Sequence, residues 1–229
     1  MPNKYFKFLL SSLLIAQLST FCSAQQSEIG NWFIYFGNQT LSKKINWHNE
    51  VQYRNYNFAG DLQQLLLRTG LGYNLSEGNN NILMGYGYIL SESYIQNIDN
   101  KVDSKEHRIF QQFITKQKLG RFYAQHRYRI EERFIKDETQ FRFRYFLSLN
   151  IPLNKKTITD NTIYFSAYNE IFINGQSPAF DRNRLYGGLG YHINKNFKLE
   201  LGYLSQMVEN SQRSQFQIIL FNNLSLLKE

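Results

Sequence analysis

Cysteine is almost missing from this chain: Cys22 is the single one in 229 residues. It falls inside a leader-like segment, so a chain cut after Ala24 has neither a disulfide framework nor a thiolate metal site. Proline is scarce too, at Pro2, Pro152 and Pro178 only. Few interruptions to backbone hydrogen bonding suit long, unbroken elements in a single domain. Beyond Ala24 no stretch approaches the roughly 18 consecutive apolar residues that a membrane helix needs. Any membrane crossing must therefore be made by strands. The four histidines lack metal-ligand spacing, and no cofactor motif is present.

What is present is apolar material spread thinly: 42% hydrophobic and 16% aromatic residues, yet a negative mean hydropathy. Dilution at fixed spacing is the pattern of a barrel strand. The N-terminus has Lys4 and Lys7, the apolar stretch from Phe8 to Ala16, and small residues at Cys22-Ser23-Ala24. It reads as a secretory signal over residues 1–24, with the domain in 25–229. Lipidation at Cys22 is disfavoured, because Phe21 stands where lipoprotein signals have a small residue. The net charge of +8 falls to about +6 once the two leader lysines are removed. Its Lys and Arg are interleaved with apolar residues, which fits strand ends and a polar lumen better than a nucleic-acid partner.

From about residue 44 the chain repeats alternating segments separated by polar turns. Segments near 45–54, 65–75, 82–90, 105–118, 122–134, 141–151, 162–173, 181–193, 197–208 and 215–224 read as strands. The segment at 141–151 is the cleanest, with Phe141, Phe143, Tyr145, Leu147, Leu149 and Ile151 against Arg142, Arg144, Ser148 and Asn150; 105–118 alternates most weakly. Soluble strands average five or six residues, whereas a tilted crossing takes about nine to eleven. Aromatics near strand ends, such as Tyr53, Tyr73, Phe122, Phe134, Phe141 and Phe180, suit interfacial girdles. Short turns near 76–79, 118–120 and 194–196 are expected at the periplasmic end. Longer connections near 57–61, 93–104, 135–139, 174–180 and 208–213 are expected at the extracellular end. Residues 32–36 also look like a strand and would make the number odd, against the even count of bacterial single-chain barrels.

Trp32, the Lys43-Lys44 turn, the strand from Trp47 to Arg54, the Glu131 and Arg133 pair and the strand Phe141-Arg142-Phe143-Arg144-Tyr145 follow one another in order. In these the chain resembles an uncharacterised outer-membrane family known as domain of unknown function 2490, a likeness that covers nearly the whole mature chain. The resemblance implies a barrel and carries no activity. One departure concerns assembly: outer-membrane barrels commonly end on an aromatic residue, while this chain ends Leu226-Leu227-Lys228-Glu229, with Phe216 and Phe221 in its last strand.

Arginine is the most informative residue of the polar faces. Arg127, Arg129, Arg133, Arg142, Arg144, Arg182 and Arg184 all fall there, with Arg133, Arg142, Arg182 and Arg184 toward the expected extracellular mouth. A guanidinium ring attracts phosphate or carboxylate; the alternative is a plug in which the arginines pair with Glu50, Glu131, Glu170 and Glu200. Gly70, Gly72, Gly85, Gly87, Gly188, Gly190 and Gly202 share these faces and either open a passage or relieve crowding. A lipid-modifying enzyme would need a His-x-Ser pair, which His48, His107, His126 and His192 do not provide. His48 shares a face with Glu50 and could be oriented by it.

The expectation is an all-β, antiparallel up-and-down transmembrane β-barrel of about ten strands, within 10 to 12. It is expected in the outer membrane of a Gram-negative bacterium by way of a Sec-type signal. The expected partners are the lipid bilayer, lipopolysaccharide and the barrel-assembly machinery, with no nucleic acid and no cofactor. The leading function is non-enzymatic, structural or a narrow anion-favouring pore. The alternatives are a lipid-modifying enzyme of the outer leaflet and an adhesion or partner-binding scaffold.

Overall fold

A computed structural model describes residues 29–76, 78–95 and 100–227. The expected signal peptide, Cys22 and the last two residues lie outside the described residues, as does part of the expected 93–104 loop. Every described regular element is a strand: β1 (Gly30–Thr40), β2 (Ile45–Asn55), β3 (Leu62–Asn74), β4 (Asn80–Tyr94), β5 (Lys101–Leu119), β6 (Phe122–Ile135), β7 (Glu138–Pro152), β8 (Thr162–Asn174), β9 (Phe180–His192), β10 (Phe197–Val208) and β11 (Ser211–Asn222). Each pairs with its sequence neighbours, and β1 closes the barrel against β11.

The segment at 32–36 is thus the middle of a full strand of 11 residues. Ten of the junctions are antiparallel, but an odd number of strands makes β1 and β11 run the same way. Their seam is parallel, from Gly30 opposite Gln215 to Gly37 opposite Asn222. Closure pairs strand edges that would otherwise stay open. The shortest strands have 11 residues and the longest has 19, enough to cross a bilayer at a tilt.

Loop length does not distinguish the two ends, contrary to expectation. One end carries connections 56–61, 95–100, 136–137, 175–179 and 209–210; the other carries 41–44, 75–79, 120–121, 153–161 and 193–196. The longest connection, 153–161, lies with the turns expected to be short, and two of those expected to be long have only two residues. The misreading has a physical cause: polar strand tips look like loops. Residues 92–94 and 101–105 stay in the ladder, as far as Tyr94 opposite Lys101, because a hairpin end that projects past its neighbours needs no apolar face. Gly120, at φ +59°, supplies the left-handed residue of the tight 120–121 turn.

What does separate the ends is charge. Connections at the first end contain Asp61, Asp137 and Glu209 and one cation, Lys136, among their described residues. At the second end Lys43, Lys44, Arg121, Lys155, Lys156 and Lys195 face only Asp160 among the described residues. We call these the acidic and basic ends.

Outward positions form an apolar belt, with Met84 61%, Leu71 60% and Leu189 56% exposed. Inward positions are mixed. Along the β9–β10–β11–β1 wall, Trp32, Ile34, Tyr186, Leu204 and Ile219 pack into one cluster. The inward glycines fit these rings: a Cβ on Gly190 would lie 2.1 Å from the Tyr164 ring, and one on Gly202 would lie 2.5 Å from that of Tyr186. They relieve crowding and do not open a passage.

Candidate functional site

Strands β5 to β9 turn arginines and carboxylates inward at alternate positions, and their register creates a problem that the carboxylates solve. Arg108 stands directly opposite Arg133, and Arg129 opposite Arg144, and like charges facing each other across strands repel. Glu106 accepts from Arg108 and from Arg133, each at 2.6 Å. Glu131, with no solvent exposure, accepts from Arg144 at 2.5 Å and Arg142 at 2.6 Å, with Arg129 at 3.5 Å and Arg108 at 3.9 Å. Glu170 holds Arg144 at 2.6 Å and Arg127 at 2.7 Å, with Arg184 at 3.8 Å. Asp181 adds Arg142 at 2.9 Å and Arg182 at 3.0 Å. Buried guanidinium and carboxylate groups survive only when paired and hydrogen-bonded in this way.

Aromatic rings fill the gaps between these charges. The guanidinium carbons of Arg144 and Arg184 lie 4.4 and 4.7 Å from the Phe172 ring centre, and those of Arg54 and Arg184 lie 3.8 and 5.0 Å from that of Trp32. Such contacts attract more strongly when dry.

On the basic side of this lattice the lumen widens into a cavity of about 670 Å³. Its wall includes Ile34, Phe36, Ile219 and Phe221 on β1 and β11, and Arg54, Arg68, Arg127, Arg129 and Arg184 elsewhere; Asn79, Asn80, Lys118 and Ile158 border it at the basic end. Glu50, also in the wall, is bound by Arg68 at 2.5 Å and by Gln52. Glu200 accepts from Tyr164 at 2.8 Å and Ser166 at 3.1 Å.

All seven arginines singled out from the sequence take part in this interior. Arg133, Arg142 and Arg182 lie on its acidic side, while Arg184 lines the cavity. Five partners were not singled out: Arg54, Arg68, Arg108, Glu106 and Asp181. Arg108 and Glu106 sit on β5, where Phe110 shares their inward face and hides the alternation. His48 Nε2 does approach Glu50 Oε2, at 3.4 Å, but the other oxygen of that carboxylate is held by Arg68 and Gln52. At the projecting β4–β5 tip, burial works against the charge on Lys101. Hydrogen bonds to Asp61 and Glu92 outweigh it and raise its pKa above the ordinary lysine value.

A family model described as a protein of unknown function (DUF2490) matches residues 29–217, from the residue before β1 to the middle of β11. The chain belongs to that family. Neither the curated proteins nor the solved structures contain a match to this DUF2490 chain. The match spans every strand that builds the charged lattice, so the lattice lies within the DUF2490 region, as does the cavity wall apart from Ile219, Phe221 and Asn223 at the end of β11 and just beyond it.

Proposed function

We propose that this protein is a non-enzymatic outer-membrane β-barrel of a Gram-negative bacterium, closed across its lumen by the arginine–carboxylate lattice and therefore not an open diffusion pore. The observation that carries the reading is the outward belt. Aliphatic and aromatic side chains such as Leu71, Met84 and Leu189 stand exposed on strands of 11 residues or more, around a polar interior. In water such a surface far exceeds the few hundred Å² of contiguous apolar patch usual on soluble monomers. Against lipid it costs nothing. The plug is supported by Glu131, which is fully buried among four guanidinium groups.

Fractionation of the envelope tests the location. The protein is expected to sediment with lipopolysaccharide-rich membrane, to resist extraction by salt, and to migrate faster on a gel before heating than after it. Recovery in the soluble fraction without detergent overturns the membrane assignment. A second reading, a narrow anion-favouring pore, draws support from the cation excess of the lumen. Among the described residues, the arginines on the inward face (Arg54, Arg68, Arg108, Arg127, Arg129, Arg133, Arg142, Arg144, Arg182 and Arg184, with Arg213 near the acidic end) outnumber the carboxylates there (Glu50, Glu106, Glu131, Glu170, Asp181 and Glu200, with Glu138 at the acidic tip).

A further inference from the structure

We propose that the cavity on the basic side of the lattice is a binding site for a water-soluble organic anion, a phosphate or carboxylate carried on an apolar body. The proposal rests on the reading of the lumen as blocked, which makes the cavity a blind pocket.

Three observations converge on it. The volume, about 670 Å³, lies within the roughly 300–1,000 Å³ of small-molecule sites. The charge is unbalanced: nine lysines and arginines line the cavity against three glutamates. Among the described residues Arg54 has no carboxylate within 4.0 Å, and its hydrogen bonds go to Gln52 and Gln64. The nearest carboxylate to Arg184 is 3.8 Å away.

The third observation is of donors without acceptors. Arg129 is only 2% exposed; among the described residues its Nη1, 3.5 Å from Glu131, has no hydrogen-bond partner, and neither has the buried Nε of Arg68. Buried donors are nearly always paired, and an oxyanion is the acceptor that guanidinium geometry favours. Facing this cationic wall is the apolar strip of Ile34, Phe36, Ile219 and Phe221, so the ligand is amphiphilic and not a bare ion. Four of the five connections around the basic end carry Lys or Arg. A mouth with such an excess of cations concentrates anions before they bind.

The protein holds its own reporter. Trp32 lies in the cavity wall and Trp47 points outward, so Trp47→Phe leaves a tryptophan signal from the site alone. Refolded full-length mature chain carrying that change is titrated with hexyl phosphate, with inorganic phosphate and hexanol as the half-ligands. Saturable change with hexyl phosphate is expected, at least about tenfold tighter than with either half, and Arg129→Gln should weaken it by about tenfold or more. Lys116→Gln, at the exposed rim and without a carboxylate partner, leaves the fold untouched and should weaken binding two- to threefold at low salt, an effect of about the size expected for one screened charge.

Absence of saturation at millimolar hexyl phosphate, or equal affinity for hexanol, overturns the proposal. Bilayer current recorded on the same preparation separates the two readings. A silent barrel without binding removes the site and keeps the plug, whereas a conducting barrel that hexyl phosphate blocks keeps the site and removes the plug.

Discussion

The two halves of the lumen use the same residue types to different ends. Toward the acidic end, Arg108, Arg133, Arg142 and Arg144 are matched by Glu106, Glu131 and Asp181 at hydrogen-bonding distance. Around the cavity, Arg54 has no carboxylate within 4.0 Å among the described residues, Arg129 and Arg184 reach theirs only at 3.5 and 3.8 Å, and of these cavity arginines Arg68 is the one held closely, by Glu50. The comparison teaches that shared carboxylates, two positions along or on a neighbouring strand, let inward arginines pack close together, whereas arginines short of a close carboxylate border open space.

The largest effect should come from the hub of the matched half. Glu131→Ala leaves Arg142 and Arg144 buried without their main acceptor, and breaking a buried pair in this way costs about 3–5 kcal/mol. Urea titration in detergent should show a lowered midpoint or a failure to refold. Glu200→Gln keeps its Tyr164 and Ser166 hydrogen bonds in the unmatched half and should cost markedly less. Equal losses would erase the distinction between halves.

Next in size is the outer face. Leu185 is 54% exposed, near the middle of β9. Leu185→Arg should destabilise by about 2–4 kcal/mol if lipid surrounds it, measured by unfolding from bilayers. In water the same change at an exposed position stays within about 0.5 kcal/mol, so a neutral result contradicts the belt.

The apolar wall offers a sharper contrast between adjacent residues. A Cβ on Gly188 would lie 2.4 Å from the Leu201 carbonyl oxygen and 2.8 Å from the Gly202 Cα, backbone atoms that cannot step aside, whereas one on Gly187 meets nothing within 4 Å. Gly188→Ala should cost about 1–3 kcal/mol. Gly187→Ala should be neutral or gain about 0.5–1 kcal/mol, since glycine is a poor strand residue. Thermal unfolding of the two variants side by side decides it.

The smallest effect belongs to the acidic tip. Lys101→Met removes an ion pair with Asp61 at 2.6 Å and Glu92 at 3.1 Å, which at a partly exposed site is worth about 1 kcal/mol or less. Because the folded pKa of Lys101 is raised, its contribution is complete below the unfolded lysine value and fades as pH climbs through the folded one. The difference between variant and parent should therefore persist at neutral pH and disappear only in strong alkali.

Much of this architecture was legible from alternation alone. The outward set Phe141, Phe143, Tyr145 and Leu147 against inward Arg142 and Arg144 is found as read, and β10 runs over the expected residues, Phe197–Val208. Two things were not legible. Phe110, Phe172 and Tyr186 occupy inward positions, because a ring can serve as a stacking surface for guanidinium groups as readily as for lipid. Strand pairing across the seam was hidden too, since nothing local in Trp32, Ile34 or Phe36 names β11 as a partner. The direction of the barrel fell with the loop lengths, as polar residues at hairpin tips stay in register without any burial to mark them.

The central claim, that matched charges close one half of the lumen, is tested most directly by single-channel current through the refolded mature chain in a planar bilayer under a salt gradient. The account predicts no steady unitary conductance in the parent and the appearance of anion-favouring steps in any Glu131→Gln protein that still folds. Discrete anion-selective steps in the parent itself would contradict it.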